Sequence, residues 1–209
     1  MRRILIAAAG VCGLLQPALA STVYEQLPYM VGLGSISSTR NALNGTPGYQ
    51  TYDNFTLGTS TTITVVNWWG YFYYPGSSDF QIIFYTDDSG APGSVIESQP
   101  VTPSVLPSPV STSADFYSAA LGTPVALSAG IPYWLSVFNA ADASWGWETG
   151  PAVGDGPVQR RLDHTTFVSG GDKTAFQLLD AVPEPSTWLL SGTGLLWLAL
   201  RRRRRPRKT

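Results

Sequence analysis

The chain has 209 residues, of which 44% are hydrophobic and 12% aromatic, and its formal net charge at pH 7 is −1. Most of its cations lie near the two ends, so residues 21–182 carry four cations against thirteen acids, a net charge of −9. This segment lacks the basic surface that nucleic acid requires, which argues against nucleic-acid binding, and anionic lipid or polyanionic polymer would repel it.

The first 20 residues have the pattern of a secretory signal peptide. An Arg-Arg pair is followed by an apolar run, and Ala18 and Ala20 form an A-x-A cleavage motif. We predict a signal helix over residues 1–20 that the export machinery recognises, with cleavage before Ser21. The alternatives are an uncleaved N-terminal anchor and, more weakly, a lipoprotein modified at Cys12.

The segment 21–181 has the composition of one all-β domain with a hydrophobic core. It lacks a long apolar stripe of helical period, and short runs rich in β-branched and aromatic residues alternate with Gly, Pro, Asn and Asp. Roughly ten such runs predict a jelly-roll-like β-sandwich, with a barrel as the alternative. The predicted strands are Tyr29–Ile36, Tyr49–Leu57, Thr62–Tyr74, Asp79–Tyr85, Ser94–Val101, Ala114–Ala120, Thr123–Leu127, Tyr133–Asn139, Ser144–Glu148, His164–Val168 and Lys173–Leu179.

Two connecting segments and the cysteine content complete this prediction. Thr86–Gly93 contains Asp-Asp-Ser-Gly and predicts a tight turn. Gln99–Val110 contains four prolines and predicts a loop or an edge strand, because proline cannot donate to a sheet ladder. Since Cys12 is the single cysteine, the mature domain has none, and packing and backbone hydrogen bonds must stabilise it.

The run Ile63–Tyr74 reads ITVVNWWGYFYY, and neither of its alternating faces is polar. We expect one face to pack inside the sandwich and the other to be covered by a loop or to present rings to a partner. Trp145–Trp147 adds two indoles on one side of another strand. Exposed rings stack on sugars, so we expect a polysaccharide contact, the alternative being that these rings form the core. The candidate residues are Trp68, Tyr71, Trp145 and Trp147.

The sequence offers little for catalysis. The single histidine, His164, follows Asp163, but the chain has no G-x-S-x-G motif to supply a nucleophilic serine. One histidine without cysteine cannot build the usual zinc site, so we expect no such metal. We predict a non-catalytic protein. The alternative is a matrix-directed glycoside hydrolase, which needs two carboxylates such as those of Glu25, Glu97 and Glu148.

Calcium is the one cofactor that the sequence leaves open. Asp87 and Asp88 place hard oxygens on a predicted turn, although calcium prefers six to eight oxygen ligands and the spacing does not match an EF-hand loop. The alternative is a pair of solvated turn aspartates.

The last 28 residues contain three parts in order. Val182, Pro183, Glu184 and Pro185 precede a mostly apolar run, Trp188–Leu200, which is followed by arginines. The run is short for a bilayer core of about 30 Å, but the cations suit the cytoplasmic face of a membrane and can snorkel. We predict a transmembrane helix, with a core helix as the alternative. The predicted membrane stop consists of Arg201, Arg202, Arg203, Arg204 and Arg205.

This tail resembles the PEP-CTERM sorting signal, which occurs on exported proteins of Gram-negative bacteria that make exopolysaccharide. The resemblance implies recognition by exosortase, a membrane protease-transpeptidase, and removal of the tail at or near its Pro-Glu-Pro element. It implies three regions: the signal peptide 1–20, the β-sandwich 21–181 and the sorting signal 182–209. The precursor would be anchored in the inner membrane, and the body would then be released or attached in the envelope or outside the cell.

The middle of the chain is similar to β-sandwich bodies that PEP-CTERM proteins often carry. The similar segments are Trp68–Tyr71, Phe80–Tyr85 and Asp87–Gly93. This likeness supports a sandwich with a surface role and assigns no ligand. We therefore expect a non-catalytic cell-surface, matrix or biofilm protein, with exosortase, the membrane and exopolysaccharide as its partners.

Overall fold

The computed structural model describes residues 20–29, 34–41, 46–73, 76–111, 113–141, 144–150, 157–163, 165–169 and 173–180. Residues 1–19 of the predicted signal helix, the sorting motif, the apolar run, the arginine stop and His164 lie outside these ranges. Within the described ranges, no helix is long and apolar enough to cross a membrane. Contacts group Ala20–Ala181 into one compact unit.

The regular structure of the described residues consists of β-strands, which confirms the all-β prediction. The strands are β1 (Ser21–Gln26), β2 (Gly34–Ile36), β3 (Ser38–Asn41), β4 (Thr46–Thr56), β5 (Thr61–Phe72), β6 (Phe80–Asp87), β7 (Pro92–Val101), β8 (Ser104–Pro107), β9 (Asp115–Leu127), β10 (Pro132–Asn139), β11 (Trp145–Glu148), β12 (Val158–Arg161), β13 (Phe167–Ser169) and β14 (Phe176–Asp180).

The strands form two seven-stranded sheets. In the first sheet, the long strand β5 pairs with β9, β14 and β11, and these in turn pair with β8, β1 and β2. The second sheet has the order β13-β12-β4-β3-β10-β6-β7, with a further pairing between β4 and β10. Among the described pairings, β3 with β10 is parallel and the others are antiparallel. The long connections between partner strands make most contacts non-local.

One hydrophobic core lies between the sheets and draws on both of them. Trp68 and Phe176 of the first sheet pack in the same cluster as Phe84 and Leu135 of the second, all fully buried. Burying one such side chain contributes about 1.5–3 kcal/mol relative to leaving it exposed. Two sheets that share one core describe a β-sandwich, while the finer jelly-roll topology stays a prediction.

The predicted alternation of Ile63–Tyr74 is observed in β5 with one shift. A bulge lies between Ile63 and Val65 in the pairing with β9, so Ile63 joins Val66 in the core although the two are three positions apart. Beyond the bulge the alternation is regular: Trp68 faces the core, whereas Trp69 packs in a separate cluster on the outer face. Both faces of β5 therefore pack against other side chains, as its apolar sequence indicates.

The same bulge explains why sequence analysis divided β9 into two strands. Ile63 pairs with Val125 and Val65 with Ala120, so residues 121–124 of β9 form a bulge in the pairing with β5. Gln99 of β7 binds this bulge, because its Nε2 donates to Thr123 O at 2.9 Å and its Oε1 accepts from Thr123 N at 3.1 Å. A side-chain amide thus replaces the missing strand contacts.

Other differences from the predicted strands concern short or polar segments. Strands β1, β3 and β12 were not predicted as strands, since runs such as Val158–Arg161 (VQRR) lack the apolar alternation that marks a buried face. Strand β8 falls in the proline-rich segment, for which a loop or an edge strand was predicted, and within the described residues it pairs with β9 alone, as an edge strand does. All four of its residues are exposed.

Candidate functional site

The structure overturns the prediction that Trp68, Trp145 and Trp147 face a ligand. Each of these side chains is 0% exposed and lies in the core between the sheets. Trp68 stacks on Tyr117 with ring centroids 5.6 Å apart and ring planes within 5° of parallel. Trp147 Nε1 donates to Ala175 O at 2.9 Å. A ring without an exposed face cannot stack on a sugar, so these three rings serve packing.

The glycines of the two aromatic motifs explain how these rings fit into one core. A Cβ added at Gly70 would overlap the Trp145 ring and would lie 2.5 Å from Gly146 O. A Cβ added at Gly146 would lie 3.0 Å from Tyr73 Cε2. A glycine inside a strand often marks such a close approach by another group. The motifs W-W-G-Y and W-G-W therefore interlock two neighbouring strands.

Tyr71 is the one member of the predicted ligand set that keeps exposed surface. It is half-buried on the outer face of the first sheet, beside Tyr73, with ring centroids 4.9 Å apart. Its hydroxyl accepts a hydrogen bond from Gly34 N at 3.1 Å and lies 3.0 Å from the Tyr73 hydroxyl. Burial raises the pKa of Tyr73. This phenol is therefore neutral at physiological pH and can donate to or accept from a hydroxylated ligand.

A second aromatic cluster, which sequence analysis missed, lies on the outer face of the second sheet. It consists of Tyr52, Ile83, Tyr85 and Trp134, and we call it the Tyr52 cluster. The rings of Tyr52 and Tyr85 lie 5.4 Å apart, and Gln50 Nε2 donates to Tyr85 OH at 3.0 Å. Its sequence signal was the unbroken apolar run IIFY, Ile82–Tyr85, in β6, since a strand with one solvated face alternates apolar and polar residues.

A buried ion pair joins the second sheet to the segment that leads into β14. Asp53 is 0% and Lys173 4% exposed. Lys173 Nζ donates to Asp53 Oδ1 at 3.0 Å and to both Asn54 O, at 3.2 Å, and Asn54 Oδ1. Asp53 Oδ2 accepts from Thr174 N at 2.6 Å, from Thr174 Oγ1 at 2.9 Å and from Gln26 Nε2 at 3.0 Å. Burial raises the pKa of Asp53, and the ammonium and the Thr174 donors oppose that rise.

The acidic turn between β6 and β7 is built around Asp87. Asp87 Oδ2 accepts from Gly90 N at 3.1 Å, and Asp87 Oδ1 accepts from Trp134 Nε1 at 2.7 Å. Asp88 is exposed, and its N and O both bond the backbone of Ala91. Within the described residues, no group of three or more His, Cys, Asp or Glu side chains could hold a metal ion. Calcium at Asp87 and Asp88 stays a prediction.

An open cleft of about 290 Å³ lies where β6 begins and β7 ends. Its lining residues, all of them described, include one carboxylate, that of Asp79, beside Gln81 and Thr102. Asp79 Oδ2 accepts from Ser77 Oγ at 2.6 Å. A glycoside hydrolase requires two carboxyl groups that face each other across its substrate. This cleft does not by itself supply such a pair, and the hydrolase alternative stays a prediction.

The two ends of the described sandwich lie side by side. Ser21, the predicted mature N-terminus, pairs with Asp180 at the start of the antiparallel ladder between β1 and β14. Ser21 Oγ donates to Asp180 Oδ1 at 2.6 Å, and this hydrogen bond lowers the pKa of Asp180. Ala20 and Ser21 are both exposed. The chain therefore enters and leaves the sandwich at one corner.

Comparison with known proteins identifies a motif in the region that follows β14. Residues 181–205 match the family described as the PEP-CTERM protein-sorting motif. The match confirms the resemblance of the tail and is consistent with an exosortase substrate. Neither the curated proteins nor the solved structures contain a match to the chain.

Proposed function

We propose that this chain, which carries a PEP-CTERM sorting motif, is exported, sorted by exosortase and displayed as a non-catalytic protein of the cell surface or extracellular matrix. The observation that carries the proposal is the match of residues 181–205 to that motif. The acidic, cysteine-free composition of residues 21–182 supports it, because a net charge of −9 keeps a secreted domain soluble and away from anionic lipid.

The position of the two chain ends supports the same route. Since Ser21 and Asp180 are neighbours, the signal peptide and the sorting tail both join the sandwich at one corner. In the proposed precursor, the export machinery cleaves before Ser21, the apolar run Trp188–Leu200 spans the inner membrane, and the arginines stay at its cytoplasmic face. Exosortase then cuts at or near Pro183–Pro185 and frees or attaches the sandwich.

The proposed ligand is a neutral polysaccharide of the matrix, held on the outer face of the first sheet. Tyr71 and Tyr73 support this location, since they combine partly exposed rings with two phenol groups. Ring faces stack on sugar C–H groups, and phenols bond sugar hydroxyls. The acidic surface favours a neutral polymer over an acidic one.

The sorting route is tested by fractionation of the producing cells and mass spectrometry of the mature C-terminus. We expect a chain that ends near Pro183–Pro185 outside the inner membrane. The variant Glu184→Ala should leave an intact tail in the inner membrane, whereas the surface variant Asp88→Ala should be processed normally. An intact tail on the wild-type protein at its final location would contradict the proposal.

The ligand is tested separately with the purified exported protein on an array of neutral and acidic polysaccharides. We expect binding to neutral polymers that Tyr71→Ala weakens at least tenfold. Val168→Ser changes an exposed residue of the other sheet and serves as the control. If none of the polymers binds, the proposed sugar ligand is wrong, and the protein is a structural component of the surface.

A further inference from the structure

Three side chains of complementary chemistry meet inside the sandwich: the amine of Lys173, the carboxamide of Asn54 and the carboxyl group of Asp53. Lys173 Nζ is hydrogen-bonded to Asn54 Oδ1 and lies 3.0 Å from Asp53 Oδ1. Asp53 and Lys173 are almost completely buried, and Asn54 is half-buried. An amine that is held against an amide carbonyl, with a carboxyl group in contact, has the components of an acyl-transfer reaction.

We propose that Lys173 and Asn54 become joined by an intramolecular isopeptide bond, with Asp53 as the group that carries the proton. The Asp53 carboxylate takes a proton from the Lys173 ammonium, and the neutral Nζ attacks Asn54 Cγ. The Nζ–Cγ bond forms and the Cγ–Nδ2 bond breaks. Of the two protons that Nζ gives up, one stays on Asp53 and the other leaves with Nδ2, so one molecule of ammonia is released and Asp53 ends as a neutral acid. No oxidant, reductant or further reactant is required.

The surroundings favour the product over the ion pair. A buried ion pair must offset the cost of removing two charges from water, whereas an amide beside a neutral carboxyl group leaves no buried charge. Burial raises the pKa of Asp53, which favours the neutral acid. Thr174 N and Thr174 Oγ1, which both bond Asp53 Oδ2, hold the carboxyl group in place. The half-buried position of Asn54 gives the released ammonia a path to solvent.

The bond would connect positions that are 119 residues apart and would tie one sheet to the segment that leads into the other. Asn54 belongs to β4 of the second sheet, and Lys173 precedes β14 of the first. A covalent link of this length restricts the unfolded chain strongly. It would give an exported domain without cysteine the kind of crosslink that secreted domains usually obtain from disulfides.

The test is mass spectrometry of the full chain purified from the producing cells. Loss of ammonia lowers the mass of the chain by about 17 Da. Chymotrypsin cleaves after aromatic residues and should release Asp53–Phe55 and Val168–Phe176 as one joined species. In denaturing gels, the wild-type chain should migrate faster than Lys173→Arg, which keeps the cation beside Asp53 but cannot form the bond.

The variant Asp53→Ala, in which Lys173 and Asn54 are both present, should yield the two chymotryptic peptides separately. Recovery of the two peptides separately from the wild-type protein would overturn the proposal and leave an ordinary buried ion pair. This wild-type measurement does not depend on whether any variant folds. A joined species in Asp53→Ala at the wild-type yield would overturn the role of Asp53.

Discussion

At the scale of single residues, the aromatic motifs depend on glycines, which leave room for the rings of neighbouring residues because they have no side chain. Gly70 has no Cβ, and the space that this leaves is filled by the Trp145 ring from the neighbouring strand. Gly146 does the same for Tyr73 on the opposite face of the sheet. The core can therefore hold several indoles at positions where larger residues would separate the strands.

We expect Gly70→Ala to lower the free energy of unfolding by about 3 kcal/mol, at the upper end of overpacking effects. The added methyl group would overlap a fully buried ring and approach Gly146 O, and neither can move without disturbing the sheet. Urea unfolding followed by tryptophan fluorescence measures the change. Gly122→Ala is the control, because the nearest atom to its added Cβ lies 3.5 Å away. Equal effects of the two substitutions would contradict this account of the motif.

Tyr117 predicts how the sandwich responds to alkaline pH. Burial raises its pKa from 10.0 to about 12. The unfolded chain therefore releases this proton at a lower pH than the folded chain. The contribution of this phenol to the free energy of unfolding is fully present below pH 10. It is lost as the pH rises toward 12, and the loss is about 2–3 kcal/mol at most. Urea midpoints measured between these values should fall less steeply for Tyr117→Phe than for the wild type.

The exposed Tyr29 provides the control for that comparison. Tyr29→Phe should follow the wild-type curve throughout this range. A Tyr117→Phe curve that coincides with the wild type would show that ionisation of this phenol does not limit the stability of the sandwich.

At the scale of elements, the turn between β6 and β7 shows how one side chain fixes a connection. Ser89 and Gly90 have φ values of 57° and 85°, in the left-handed region, and Asp87 accepts the N–H of Gly90. The same carboxylate accepts the indole N–H of Trp134 in β10. Asp87 thus ties the turn to the Tyr52 cluster on the outer face of the second sheet.

We expect Asp87→Ala to destabilise the protein by about 1–3 kcal/mol, because it removes two hydrogen bonds and leaves the buried indole N–H without its acceptor. Asp88→Ala, one residue further along the turn, should change stability by less than about 0.5 kcal/mol, since that side chain is exposed. Thermal unfolding of the two variants gives the comparison. A larger loss for Asp88→Ala than for Asp87→Ala would indicate that the Asp88 carboxylate has a role of its own in the turn.

At the scale of the whole molecule, charge and topology are divided between the sandwich and the chain ends. Nine of the thirteen cations lie in residues 1–20 and 182–209, and thirteen of the fourteen acids lie between them. The ends of the sandwich meet at Ser21 and Asp180. The basic and apolar segments therefore leave an acidic domain at a single corner.

Processing at both ends should make the protein much more acidic. The full chain has an isoelectric point of about 5.7, and removal of both terminal segments would leave a net charge of −9. We expect the mature protein to focus at least one pH unit below the precursor. Isoelectric focusing of membrane and extracellular fractions measures this shift. An extracellular form that focuses at the position of the precursor would contradict removal of the arginine-rich tail.

The sequence by itself determined the features that depend on local pattern. The tail was predicted from three parts in order within residues 182–209, and the motif match confirms it. The all-β fold followed from a period of two, and the prolines of Gln99–Val110 indicated a loop or an edge strand where β8 lies. Such signals lie within a few neighbouring residues, so one sequence is enough to read them.

The tertiary structure decided everything that depends on which strands become neighbours. Trp68 and Trp147 have the composition of a sugar-binding surface, and only the packing of two sheets over them shows that they are core. Asp53 and Lys173 are 120 positions apart, and their contact exists only because β4 and the start of β14 meet. Burial and pairing are properties of residues that are distant in the chain. The sequence pattern of a single strand does not show which residues will be buried or paired, because that sequence is the same whichever strand or sheet packs against it.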